Sequence, residues 1–179
     1  HGGYNQHSSV QAAGALPALD LLVEAASQAE LPADDAPIII ADYGSSGGRN
    51  SSAPMATAIK ILRNRKGPSH AISVVHTDLP GNDFTGLFKF LESDPASYLI
   101  GDQNVFASAV GRSFYEQLLP SASVTLGWSS WAVQWLSRTP AIIPDHVQIA
   151  FSHDPAACAA FARQAAQDWE TFLIQRARE

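Results

Sequence analysis

Apolar positions recur along this chain in two alternating rhythms. In residues 16–29, Leu19, Leu22, Val23 and Ala26 follow the i, i+3, i+4, i+7 spacing of one helical face, with Pro17 tolerated in the first turn. Residues 37–43 (PIIIADY) form a short, mostly apolar run, which suits a strand buried on both faces of a parallel sheet. A glycine-rich stretch at residues 44–50 leads into a helix expected over about 52–65, with Met55, Ile59 and Leu62 inward. Arg63, Arg65 and Lys66 complement the dipole at its end, and Gly67-Pro68 stops it.

The pattern then repeats. Residues 71–76 (AISVVH) predict a second strand, and Asp78-Leu79-Pro80-Gly81 a turn. Asn82 can cap a helix whose Phe84, Leu87, Phe88 and Leu91 share a face. Residues 104–110 and 123–127 are the third and fourth strand candidates. Asp154 caps and Pro155 opens a last helix, with Phe161, Ala165, Trp169 and Phe172 in a stripe. Strands alternating with helices predict an α/β fold with a doubly wound parallel sheet. No repeat or linker divides the chain, so residues 1–179 are expected to form one domain.

Composition narrows the partners. A chain of 179 residues is long enough for a real core. Its net charge of -6, with only 11 Lys and Arg, repels a phosphate backbone, so no nucleic-acid partner is expected. The single cysteine, Cys158, excludes an intramolecular disulfide and reads as an inert thiol in a helix. The six histidines are scattered without ligand spacing, so no metal is expected. No apolar run is long enough to span a bilayer and no leader pattern opens the sequence, which makes the cytoplasm the expected compartment.

Residues 41–48 (ADYGSSGG) join the first strand to its helix, where open α/β sheets bind their ligands. A tight turn without a ligand is the plainest reading. No Gly-Lys-Ser/Thr follows for a phosphate loop, and Gly44, Gly47 and Gly48 do not make a dinucleotide fingerprint. Residues 44–48 do satisfy G-x-S-x-G, so a serine hydrolase with nucleophile Ser46 is a rival, with Asp145 and His153 completing a triad and His1-Gly2-Gly3 imitating an oxyanion hole. Against it, no strands precede the elbow to form the sheet centre, and Asp42 has no use there. The third reading is a nucleoside-sulfonium site. Asp42 ends the first strand and Asp78 lies just past the second, where a carboxylate accepts ribose hydroxyls and tolerates a cation better than a pyrophosphate. Two acidic strand ends favour S-adenosylmethionine over NAD.

Five segments, in order, resemble one family. Residues 4–11 (YNQHSSVQ) look like Y-x-x-N-S-x-x-Q, residues 41–50 (ADYGSSGGRN) like A-D-L-G-C-S-S-G-P-N, and residues 78–84 match D-L-P-G-N-D-F throughout. Ser113-Phe114-Tyr115 with Leu118-Leu119-Pro120 resembles S-F-Y-x-x-L-F-P, and residues 129–137 (SSWAVQWLS) resemble S-S-Y-S-L-x-W-L-S. These are motifs of the SABATH carboxyl methyltransferases, which methylate salicylic, jasmonic, indole-acetic and similar acids and some xanthine alkaloids. The resemblance implies a Rossmann-like sheet of the S-adenosylmethionine-dependent methyltransferase type. It implies that Ser8, Asp42, Gly44, Asn50, Asp78, Leu79, Ser113 and Phe114 contact the cofactor, Asp78 at the ribose and Phe114 at the adenine face. It further implies that Gln11 and Trp135 hydrogen-bond a substrate carboxylate and that Trp131 and Gln134 line the pocket of the acid. Tyr43, Gly47, Arg49, Arg112 and Trp128 depart from the family pattern, as a divergent or bacterial-type member would. Arg112 puts a bulky cation beside the implied adenine pocket.

The implied activity is methylation of the carboxyl group of a small organic acid, and a non-catalytic S-adenosylmethionine-binding domain is a further alternative. A carboxylate is ionised at neutral pH, its ordinary pKa being about 4, so the chemistry needs positioning rather than a general base. Family members are longer, with later sheet strands and a helical cap. This chain is therefore expected to be part of a working enzyme, to bind the cofactor weakly alone, and to pair with another chain, as a homodimer would, through an uncovered fourth strand.

Overall fold

The computed structural model describes residue 14 and residues 16–179. Among these, β1 (Ile38–Tyr43), β2 (Ile72–Asp78), β3 (Val105–Gly111) and β4 (Leu126–Trp128) form a sheet in the order β3-β2-β1-β4. All pairs are parallel, with Ile38 opposite Ile72, Val74 opposite Ala107 and Ile40 opposite Leu126. The helices are α1 (Leu19–Gln28, after a 3₁₀ turn at Leu16–Ala18), α2 (Arg49–Lys66), α3 (Phe84–Ser93) and α4 (Pro155–Arg178). Strand order reverses beside β1, so the crevice beyond the carboxyl ends of β1 and β4 is a topological switch point.

The period of two in β1 sends its residues to opposite layers. Ile38 and Ile40 pack with Met55, Leu62, Ile72, Val74 and Leu87 into the larger core. Ala41 and Tyr43 pack on the other face with Phe172 of α4, the Tyr43 and Phe172 rings meeting edge to face at 6.0 Å. The Tyr43 hydroxyl also donates to Glu179 Oε2 at 2.7 Å, and burial, followed by that carboxylate, pushes the phenol above its ordinary range. The basic end of α2 is used as tethers. Arg65 donates to the Ala26 carbonyl at 2.7 Å, and Arg63 forms an ion pair with Asp102 at 2.9 Å.

Several expected details shift. Helix α2 begins at Arg49, earlier than residue 52, because Gly48 at φ +78° turns the chain into it. Asp83, not Asn82, caps α3, its Oδ1 accepting from Gly86 N at 2.9 Å. Phe90 rather than Phe88 takes the core position, Phe88 being 41% exposed. The fourth strand is three residues long: the amides of Ser123 and Val124 bond the Glu179 main-chain carbonyl instead of the sheet. Asp154 does cap α4, its Oδ1 accepting from Ala157 N at 2.7 Å.

The inner stripe of α4 is Ala157, Gln164, Asp168 and Phe172, while Trp169 is half exposed. Polar residues turn inward because residues 137–138 meet the helix there. Asp168 accepts from Ser137 N at 2.8 Å and Ser137 Oγ at 2.7 Å, and Gln164 accepts from Arg138 Nε at 2.7 Å. Burial raises the Asp168 carboxyl, but the bonds from Ser137 and Gln164 and the Arg138 charge outweigh it and hold it below the ordinary carboxylate range. No described helix is long and apolar enough to cross a membrane.

Candidate functional site

The loop after β1 is fixed from below by β2. The amides of Gly44 and Ser45 both donate to the Thr77 carbonyl, at 2.9 and 3.0 Å. Gly44 has φ +84°, and a Cβ there would stand 2.2 Å from Ala132 Cβ, so residues 129–132 rest directly on the backbone. Gly48 is equally constrained: its Cβ would meet Leu87 Cδ1 at 2.3 Å. Between them Ser46 adopts φ +47°, a conformation that a side chain resists and that local bonds must hold. Its amide donates to Asp78 Oδ2 at 2.8 Å, and its carbonyl accepts from Asn82 Nδ2 at 2.9 Å. Asn82 thus closes the loop rather than capping α3.

Asp78 ends β2 with a carboxylate oriented by two amides, because Leu79 N donates to Oδ1 at 2.8 Å. Two main-chain bonds leave each oxygen a further lone pair for a ligand. A cavity of about 380 Å³ opens there, lined by Gly44, Asp78, Leu79, Ser113, Phe114, Trp131 and Trp135 among the residues anticipated, and by Ser46, Asn82, Tyr115, Ser130 and Ala132 besides. The Phe114 ring is braced edge-on by Tyr115 at 4.8 Å and Phe172 at 5.9 Å. Asn50 stands apart from this cavity. It lines an adjoining recess of about 20 Å³ with Gly44, Ser45, Trp128, Ser130 and Trp131. The Ser45 hydroxyl on that recess is buried without a hydrogen-bond partner among the described residues. An orphaned hydroxyl beside a nucleoside-sized cavity is what a ligand with a polar tail would satisfy.

Other anticipated residues fall elsewhere. Ser8 and Gln11 lie outside the described residues. Asp42 is 2% exposed and does not line the cavity: its Oδ2 meets His76 Nδ1 at 2.9 Å beneath the loop, on the Ile38 and Ile40 side of the strand. Gln134 lines a second, largely apolar groove of about 600 Å³ with Ile149, Cys158, Phe161 and Ala165. Trp135 and Leu136 are common to both hollows, and the Trp135 indole is 73% exposed. Arg112 does not intrude on the cavity, since it pairs with Glu116 on the outer surface.

The hydrolase arrangement does not assemble. Ser46 lines the cavity, but Asp145 and His153 do not. The Asp145 carboxylate is engaged by Ser152 Oγ at 2.5 Å and the His153 amide at 2.7 Å, which braces the turn before α4. Among the described residues no cluster of three or more His, Cys, Asp and Glu could hold a metal ion. Sequence reasoning passed over Asn82 as a loop clamp and His76 as a buried partner. The first was signalled by its place inside the D-L-P-G-N-D-F match, the second by a histidine ending an otherwise aliphatic run.

Comparison with known proteins follows the same motifs. The family described as "SAM dependent carboxyl methyltransferase" matches residues 1–179. Methyltransferase FUS9 of Gibberella fujikuroi is 32% identical over 182 residues, covering 100% of this chain and 47% of that protein. Gibberellic acid methyltransferase 2 of Arabidopsis thaliana is 31% identical over 148 residues, covering 76% of this chain and 36% of that protein. A solved structure of loganic acid methyltransferase with SAH superposes with a TM-score of 0.79 at 27% identity, covering 98% of this chain and 52% of that one. The chain spans about half the length of the curated relatives it matches.

Proposed function

Because this chain belongs to the S-adenosylmethionine-dependent carboxyl methyltransferases, the SABATH group, we propose that it forms the cofactor-binding part of an enzyme that methylates the carboxyl group of a small organic acid. The observation that carries the reading is the anchored Asp78 carboxylate at the mouth of a cavity floored by the glycine loop. Asp78 takes the ribose hydroxyls, Phe114 the adenine face, and Gly44, Leu79 and Ser113 the walls between. Ser45 and Asn50 face the polar tail. Asp42 acts from below, and Ser8 is a further cofactor contact on the strength of the family motif alone.

When bound, the cofactor would supply an electrophilic methyl group, whose carbon a carboxylate oxygen would take up as the S–C electron pair departs with the sulfur. The chain contributes position. Trp135 and Gln11 donate to the acid's carboxylate without a full positive charge, which leaves its oxygen nucleophilic. Holding that oxygen in line can supply about 7–11 kcal/mol. Trp131 and Gln134 flank the body of the acid, which leaves the cavity over Trp135 toward the apolar groove. No proton need move, as the acid is already ionised at neutral pH.

The test is transfer of labelled methyl from S-adenosylmethionine to a panel of aromatic and aliphatic acids. Label released as methanol by mild base marks an ester and supports the reading. Base-stable label on a nitrogen acceptor, or cofactor binding with no acceptor acid at all, contradicts it.

A further inference from the structure

Beneath the glycine loop lies a buried polar chain that the proposed mechanism does not use. Asp42, His76 and Tyr98 are 2%, 0% and 7% exposed. His76 Nδ1 meets Asp42 Oδ2 at 2.9 Å, and His76 Nε2 meets the Tyr98 hydroxyl at 2.7 Å. A carboxylate only accepts, so Nδ1 carries the ring proton and Nε2 accepts from the phenol. Burial, followed by the Asp42 charge, pushes the Tyr98 phenol upward, which keeps its proton available to donate.

The chain closes on itself through α2. Tyr98 N donates to Ser52 Oγ at 3.1 Å, and that hydroxyl donates to the Ala96 carbonyl at 2.6 Å. Asp42 is the last strand residue but one before the loop, and Ser52 follows the loop in the first turn of α2. Tyr98 therefore grips both ends of residues 44–48, one through His76 and the other through its own amide. Within that ring sit Gly44 at φ +84° and Ser46 at φ +47°, backbone states that need outside support. Asp42 and His76 also stand opposite each other across β1 and β2, just before the strand ends where Ser46 meets Asp78.

We infer that His76 and Tyr98 are positioning residues for the cofactor loop, holding residues 44–48 and Asp78 in the geometry that receives the nucleoside. This rests on the cofactor reading of that cavity. A buried network that is half satisfied is costly, so a break in it is transmitted to the strained loop above rather than absorbed in place.

Calorimetric titration of the purified chain with S-adenosylhomocysteine tests the inference. Tyr98→Phe removes the donor to Nε2. His76→Asn keeps a donor for Asp42 but does not reach Tyr98, so both variants cut the same link. Each is expected to raise Kd about 3–10-fold, the scale of one net hydrogen bond. The double variant should be no weaker than the weaker single one. In the ligand-free chain, exchange of the amides of residues 44–48 should quicken in both. Should Tyr98→Phe not fold, His76→Asn alone carries the comparison. Unchanged Kd and loop exchange with only a lowered Tm, or losses that multiply in the double variant, overturn the inference. Asp78→Asn separates the two levels. If it weakens binding while Tyr98→Phe and His76→Asn do not, only the positioning role falls; if the parent chain binds no S-adenosylhomocysteine, both fall.

Discussion

The backbone amide of Ser46 donates to Oδ2 of Asp78 at 2.8 Å, so the loop after the first strand is gauged against the carboxylate that ends the second. Parallel strands leave their carboxyl ends side by side, and here one end supplies a donor and the other an acceptor. The bond does two things at once. It stabilises a serine at positive φ, and it turns the remaining lone pairs of Asp78 toward the cavity.

Asp78→Asn should weaken S-adenosylmethionine binding by about 1.5–3 kcal/mol, the range for hydrogen bonds to a charged group. The amide keeps one acceptor oxygen, so either Ser46 or Leu79 loses its partner as well. Calorimetry on parent and variant decides it, and equal affinities would remove Asp78 from the site.

Gly44→Ala should cost at least about 1–2 kcal/mol for a left-handed residue alone. The added methyl would also stand 2.2 Å from Ala132 Cβ, so residues 129–132 must lift. Because Trp131 lines the same cavity, cofactor affinity should fall together with Tm. A variant with parent-like Tm and affinity would show that the contact between the two loops is loose.

Asp168 offers a prediction in pH. Burial works against its carboxylate, yet the bonds from Ser137 and Gln164 with the Arg138 charge leave its pKa below the ordinary 3.8. A depressed carboxylate stabilises the fold above its unfolded pKa and loses that contribution as pH falls through the folded value. Asp168→Asn should therefore lower Tm clearly at neutral pH, and the gap to the parent should close below about pH 4. Asp168→Ala should cost about 1–3 kcal/mol at pH 7, since the Ser137 amide loses its acceptor. Thermal melts of both variants from pH 7 to 3 provide the check.

Much of this fold was legible because its strands are aliphatic and its helices are bounded by Gly, Pro and Asp. Ile38 to Tyr43 reads as a buried strand from composition alone, and Asp154-Pro155 marks the start of α4. The errors have physical causes. In α3, Phe88 and Phe90 both extend an apolar stripe, and only packing into the larger core, beside Gly48 and Arg49, selects Phe90. In α4, Phe172 of the expected stripe is buried but Trp169 is half exposed, because Ser137 and Arg138, distant in sequence, draw Gln164 and Asp168 inward. Asn82 and Asp83 are both competent caps, and Ser46 decides between them by taking Asn82. The place of Asp42 was available in principle: strand periodicity puts it on the face of Ile38 and Ile40, hence under the loop rather than on the cavity wall.

The division between cofactor and acid yields the sharpest functional expectation. Trp135 lines both hollows, and its indole is 73% exposed. Its own backbone is held by others, with Tyr115 donating to its carbonyl at 2.8 Å and its amide donating to the Ala132 carbonyl at 3.0 Å. Trp135→Phe keeps an aromatic ring on that backbone and removes the N–H donor together with part of the ring surface. The fold and the Asp78 side of the cavity should not register the change, so Tm and S-adenosylhomocysteine affinity should stay near parent values. Transfer to the acid should not survive it intact. A lost hydrogen bond to a carboxylate is worth about 1.5–3 kcal/mol, or roughly 10–150-fold in kcat/KM. Gln11→Ala should behave alike if it shares the carboxylate. Turnover measured with labelled cofactor, beside calorimetry on the same preparations, separates the outcomes. A Trp135→Phe variant that loses the cofactor first would move Trp135 to the nucleoside side and leave the acid's carboxylate to be held by other residues.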